Sequence, residues 1–296
     1  MLTLHEYKRY LICNRDRLYK TFFLSYGDDN FAESKNRIRK EALDSYWFDD
    51  VTIYGPDNIS NNFIKKYKKI FDLPHKGNYY IWKIDIILQT LNKMNNGDVL
   101  LYCDSGCKLN ISDDGTYTFF SDVNKLINSD HGIMLHSNGN LEYKYTIREI
   151  FEYLGVSDNP YITESYQVMA TLMYIKKCDY TYMIFNTIID ILDHNPYFIT
   201  NKYDSIQVNP LFKVNRHDQS LFSVASKVHG CIINKCIEGI PILKCKVNRI
   251  SYNTTHNVRQ IESPKSLNTW LIFNETQDSY ICLDINQAVF PLRLRF

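Results

Sequence analysis

The chain alternates between short, unbroken apolar runs and longer stretches in which apolar residues recur every three or four positions. The first pattern appears at Thr21–Tyr26, ending in the Gly27 turn, at Val51-Thr52-Ile53-Tyr54, at Val99-Leu100-Leu101-Tyr102-Cys103 and at 131–136. These runs are too short for helices and predict buried strands. The second pattern predicts helices over about 36–46, 62–70, 146–154, 180–194 and 218–228. Another runs through Trp82, Ile86, Ile87, Leu91 and Met94. Asn95-Asn96-Gly97 stops this last helix, since Asn and Gly tolerate the left-handed cap. Thr146, with Glu149 three residues on, reads as a capping box.

Some segments are less regular. Residues 1–19 read as a short helix or arm, and 108–120 as a loop or hairpin turning on Asp113-Asp114-Gly115. Residues 121–128 read as a short helix, and 166–175 as either strand or helix. From about residue 238 the pattern becomes short strands, at 245–251, 269–274 and 280–284. Strand–helix alternation predicts an α/β fold with a mostly parallel sheet flanked by helices. The change near 238 predicts a division into a catalytic domain, 1–237, and a small, mainly β extension, 238–296.

Composition narrows the partners. The 296 residues carry a net charge of +1, which offers no global attraction to nucleic acid or an anionic membrane. Apolar residues make up 45%, enough for a substantial core, and no apolar run reaches the ~18 residues of a membrane span. The N-terminus lacks the continuous apolar core of a secretion signal. The eight cysteines form no CxxC pair, so they predict neither a zinc site nor a disulfide framework, and a reduced, cytoplasmic setting follows.

The candidate chemistry centres on residues 77–106. There a glycine-led aromatic segment, Gly77-Asn78-Tyr79-Tyr80-Ile81-Trp82-Lys83, opens a helix, and Gly97-Asp98 leads into the strand ending Tyr102-Cys103-Asp104-Ser105-Gly106. A carboxylate at the C-terminal end of a buried strand, followed by small residues, stands where ligands bind in open α/β sheets. A second block reads Arg216-His217-Asp218-Gln219-Ser220 and runs into an apolar helix.

Together with the Ser25-Tyr26-Gly27 turn, these blocks resemble a family of GT-A type glycosyltransferases found in bacteria and large DNA viruses. The resemblance spans about residues 20–230, and Ile84 stands where that family usually has a proline. It implies a GT-A, Rossmann-like fold and metal-assisted transfer of a sugar from a nucleotide diphosphate sugar, UDP-sugars first. The acceptor, a glycan, protein or lipid, is left open. No nucleic-acid partner is implied, the oligomeric state is open with a homodimer included, and the location is the cytoplasm, or the host cytoplasm or virion if the chain is viral.

The departing diphosphate gathers negative charge, so such a site needs a cation, Mn²⁺ or Mg²⁺, held by hard carboxylate oxygens. Asp104 is the candidate ligand, with His217 as a second, because Gly106 stands where a second carboxylate of an Asp-x-Asp would be. Ser25, Tyr26, Gly27, Arg37, Lys83, Ser105 and Gly106 are candidates for holding the nucleotide sugar. Asp218 is the candidate base, with Gln219 and Gln167 placed near the sugars. Each has a plainer reading: Asp104 and Asp218 as turn or helix caps, Lys83 as a snorkelling lysine, Arg37 on a solvated helix face, His217 as a hydrogen-bonded structural residue. The competing functions are a nucleotidyltransferase or other nucleotide-binding transferase, and an inactive binding protein that keeps the fold.

Overall fold

The structure, a computed structural model, describes residues 17–75, 77–234, 242, 271–274 and 279–282. The strands are β1 (Thr21–Tyr26), β2 (Asp50–Tyr54), β3 (Val99–Cys103), β4 (Ile133–Leu141), β5 (Tyr166–Val168), β6 (Leu172–Lys176), β7 (Ile232–Asn234), β8 (Leu271–Asn274) and β9 (Ser279–Cys282). The helices are α1 (Ala32–Ser45), α2 (Asn61–Lys66), α3 (Lys68–Phe71), α4 (Trp82–Lys93), α5 (Asp113–Ile127), α6 (Arg148–Tyr153), α7 (Pro160–Thr163), α8 (Asp179–His194) and α9 (Asp218–His229).

One sheet runs in the order β2-β1-β3-β6-β4-β7-β9-β8, with β5 beside β4. β1 pairs in parallel with both β2 and β3, and β4 pairs in parallel with β7. β6 lies antiparallel between β3 and β4. The sheet is therefore mixed rather than mostly parallel. The difference arises at 166–175, where Met169–Thr171 break the run and send two short strands, β5 and β6, back along the sheet. The chain passes from β1 to one side (β2) and then to the other (β3). This reversal opens a crevice beyond the carboxyl ends of β1 and β3.

Strand alternation feeds two cores. Leu100 and Tyr102 of β3 pack with α4, α8 and α9, whereas Val99, Leu101 and Cys103 pack with α1 and α5. The segment read as a loop or hairpin is largely helix: α5 begins at Asp113. The Ser112 hydroxyl accepts the Gly115 N–H at 3.3 Å, capping the first turn. Gly115 is required there, because a Cβ would lie 1.7 Å from the Asn110 carbonyl oxygen. An Asp-Asp-Gly that resembles a hairpin turn is thus a helix start packed against the preceding backbone. The apolar spacing Phe119, Val123, Leu126 already carried the helical signal.

The capping box at Thr146 does not form. α6 starts after Ile147 without a side-chain cap, and the Thr146 hydroxyl donates to Glu142 Oε1 at 2.6 Å. β8 and β9 pair with each other and, through β9, with β7. The strand expected at 245–251 and all but the last three residues of the arm expected at 1–19 lie outside the described residues, and 17–19 form no helix. No helix among the described residues is long and apolar enough to cross a membrane.

Candidate functional site

The crevice end of the sheet gathers one buried ammonium and two carboxylates. Lys83, in the first turn of α4, is 3% exposed. Its Nζ lies 2.5 Å from Asp218 Oδ2, 3.0 Å from the Ala170 carbonyl oxygen and 3.5 Å from Asp104 Oδ1. The ring of Tyr102 lies 5.0 Å from the same ammonium and that of Tyr80 5.7 Å. Burial alone would strip the proton from such a lysine, but Asp104 and Asp218 outweigh it and hold the ammonium above its ordinary range. Lys83 is therefore neither a snorkelling surface residue nor, in this arrangement, a free phosphate-binding charge.

Asp218 is the first residue of α9, with His217 at the cap position. Burial pushes its carboxyl up to about 6, while Lys83 pulls it down. Asp104 follows β3, and its side chain is 40% exposed. Its Oδ1 accepts the Tyr102 hydroxyl at 2.7 Å. Oδ2 makes no hydrogen bond among the described residues and is the oxygen left for a ligand. With both carboxylates ionised, the cluster keeps one net negative charge after Lys83 is counted. A half-exposed carboxylate oxygen beside surplus negative charge fits a hard divalent cation held through Asp104, with other oxygens from a ligand and water.

His217 does not join that set. Its Nδ1 lies 2.9 Å from the Ile199 carbonyl oxygen, and its ring packs against Tyr79 (centroids 5.1 Å) and His75 (5.2 Å). No hydrogen bond or ring contact among the described residues links it to Asp104, and these residues contain no cluster of three or more His, Cys, Asp or Glu suited to a metal.

The aromatic segment before α4 is held in an unusual backbone. Gly77, Asn78, Tyr79 and Tyr80 have φ of 74°, 50°, 54° and 59°, and His217 has φ of 57°. Left-handed backbone costs about 1–2 kcal/mol per non-glycine residue and persists only where the surroundings impose it. Here Trp82 Nε1 donates to the Gly77 carbonyl at 3.0 Å, Asn78 Nδ2 to the Phe71 carbonyl at 3.0 Å, and the Tyr79 N–H to His75 Nδ1 at 3.3 Å. The result aims Tyr79, Tyr80 and His217 into one group beside Lys83. Trp82, stacked on Tyr26 with centroids 3.6 Å apart, closes the wall toward β1.

The remaining candidates divide. Tyr26 stands at the crevice, its hydroxyl pushed up to about 12 by burial. At Gly27 a Cβ would lie 2.9 Å from Lys35 and Phe31, so glycine lets that lysine cross the turn. Gly106 faces open space. Ser25 instead donates its hydroxyl to the Cys103 carbonyl at 2.6 Å, locking β1 to the end of β3. Arg37 Nη2 donates to the carbonyls of Ser105 and Cys107, both at 2.8 Å, and so fixes the loop after Asp104 from below. Gln167 is fully buried: its Nε2 donates to Glu142, Thr146 and Ser220, and its Oε1 accepts Gln219 Nε2 at 2.6 Å. Gln167 thus orients Gln219 from behind.

Sequence reading missed three participants: Tyr102 as a partner of Asp104, the Ala170 carbonyl, and His75. It also missed Glu142, fully buried and paired with Lys227. Lys227, directly after the apolar and small run Ser223–Ser226 of α9, was its only signal. No protein-family model matches the chain, and no curated protein matches it.

Proposed function

We propose that this crevice transfers a sugar from a nucleotide diphosphate sugar, a UDP-sugar first, to an acceptor hydroxyl. The observation that carries the reading is the pairing of Lys83 with both Asp104, at the end of β3, and Asp218, at the start of α9. It supports a site where separated charge must be managed in a confined space. Asp218, buried and more basic than an ordinary aspartate, accepts the proton of the attacking hydroxyl, within reach of the general-base range at neutral pH. Lys83 keeps that carboxylate ionised and oriented. Asp104 would hold Mn²⁺ or Mg²⁺, which when bound supplies the Lewis acid that draws charge from the departing diphosphate. Beside the stacked Tyr26–Trp82 wall, the Gly106 turn leaves backbone open to the nucleotide.

The test is thermal stabilisation by UDP and by GDP, each with and without Mn²⁺, followed by hydrolysis of UDP-sugars. Metal-linked stabilisation by UDP with donor turnover supports transfer. Metal-linked binding without turnover of any donor would make this a binding protein on the same fold, and no response to either nucleotide would remove the donor site.

A further inference from the structure

We infer that His75, Tyr79, Tyr80 and His217 form a subsite for a neutral saccharide, so that the acceptor is a carbohydrate. The inference deepens the transfer reading and rests on it for the word acceptor.

Two tautomers follow from hydrogen bonding. The Ile199 carbonyl can only accept, so Nδ1 of His217 carries the proton and its Nε2 presents a lone pair. The Tyr79 N–H can only donate, so Nδ1 of His75 is the acceptor and its Nε2 carries the proton. Neither Nε2 has a hydrogen-bond partner among the described residues, and both histidines are half-buried. The two rings stand 5.2 Å apart, edge to face. One offered acceptor and one offered donor match the dual character of a sugar hydroxyl. A phosphodiester has no proton to give His217, and any phosphate gains no charge from it, since burial holds that imidazole neutral, with a pKa pushed down to about 4.

The rings supply the rest. Tyr80 is 42% exposed, and its ring lies 6.3 Å from that of His217. Tyr79 stacks on His75 at 3.9 Å. Aromatic faces carry negative potential and attract the weakly positive C–H face of a pyranose, and a few placed polar atoms on an apolar wall are the usual makeup of a small-ligand site. Tyr80 joins this group to the proposed base: its ring lies 5.7 Å from Lys83 Nζ, the ammonium paired with Asp218. The consecutive left-handed residues at 77–80 are what turn these rings toward His217.

The experiment is a histidine side-chain ¹⁵N titration of the full chain with methyl β-glycosides of glucose, galactose and N-acetylglucosamine. We expect at least one to shift the His217 and His75 Nε2 resonances saturably. His217→Phe, which keeps a ring and removes the acceptor, should weaken binding about tenfold, as loss of one hydrogen bond worth about 1.4 kcal/mol implies. Tyr80→Leu should weaken it severalfold, and Tyr117→Ser, on exposed α5 surface, should not. The subsite is overturned if no glycoside shifts either resonance in the unaltered protein, if Mn²⁺ alone does so, or if His217→Phe binds as well as the original. UDP is titrated separately. Glycoside binding without UDP binding keeps the subsite and sinks the donor reading, and the reverse sinks the subsite alone.

Discussion

Among the described residues, two buried lysine–carboxylate pairs share one helix, α9, and they are finished differently. Glu142 is completely buried and receives four donors: the Thr146 hydroxyl and Gln167 Nε2 on Oε1, the Ser223 hydroxyl and Lys227 Nζ on Oε2. Lys227 also donates to the Tyr166 carbonyl at 2.8 Å. Every lone pair has an owner, and the pair ties the C-terminal end of α9 to β5 and the turn after β4. At the helix's other end, Lys83 is saturated by Asp218, Ala170 and Asp104, yet Asp104 reaches solvent with an oxygen to spare. A buried ion pair is poor evidence for stability, because desolvation offsets its attraction. The contrast teaches that saturation separates the roles: the closed pair holds the scaffold, and the open one retains capacity for a ligand.

The comparison can be broken at either end. The largest effect should come from Glu142→Ala, which leaves Lys227 buried without its counter-ion; about 3–5 kcal/mol of stability should be lost in urea denaturation. Lys83→Met should cost less, about 1–3 kcal/mol, because Asp104 can turn to water and Asp218 can take a proton instead. It should also weaken nucleotide binding, and a cost equal to that of Glu142→Ala would make the two pairs energetically equivalent.

Asp218→Asn should change stability little and lower transfer about 10²–10⁴-fold. Turnover in the unaltered protein should fall as pH drops through about 6, where Asp218 gains its proton, and this limb should vanish in the variant. The stability sign is opposite. A carboxyl pKa raised in the folded state makes its contribution complete below the ordinary aspartate value of 3.8, and it is lost as pH rises through about 6. Asp218→Asn should therefore flatten both curves in that window. Smallest in stability is Asp104→Ala, within about 0.5 kcal/mol for a half-exposed side chain, while Mn²⁺-dependent UDP affinity should disappear. Unchanged metal-linked affinity would remove Asp104 from the proposed site.

Much of the scaffold was legible along the chain because local period and burial agree. β1, β2 and β3 lie where unbroken apolar runs predicted strands. α4, α8 and α9 follow their apolar spacing closely. The errors fall where a non-local contact decides. Asp113-Asp114-Gly115 resembles a turn until Asn110 is folded against it, and Thr146 resembles a cap until Glu142 captures its hydroxyl. Of the site, the residue types at Asp104 and Asp218 were readable from their places after a strand and before a helix. Arg37, Ser25 and Gln167 were readable as polar residues near the right ends but not as inward-facing braces.

What the sequence by itself determined is therefore the set of elements, the strand ends that face the crevice and the chemical types that line it, since these depend on neighbours within a few residues. Tertiary structure alone decided that β6 runs antiparallel, that Lys83 turns inward to two carboxylates 21 and 135 positions away, and that a left-handed turn sets Tyr79 and Tyr80 beside His217. Those outcomes depend on which distant groups are desolvated together, and no local pattern encodes that.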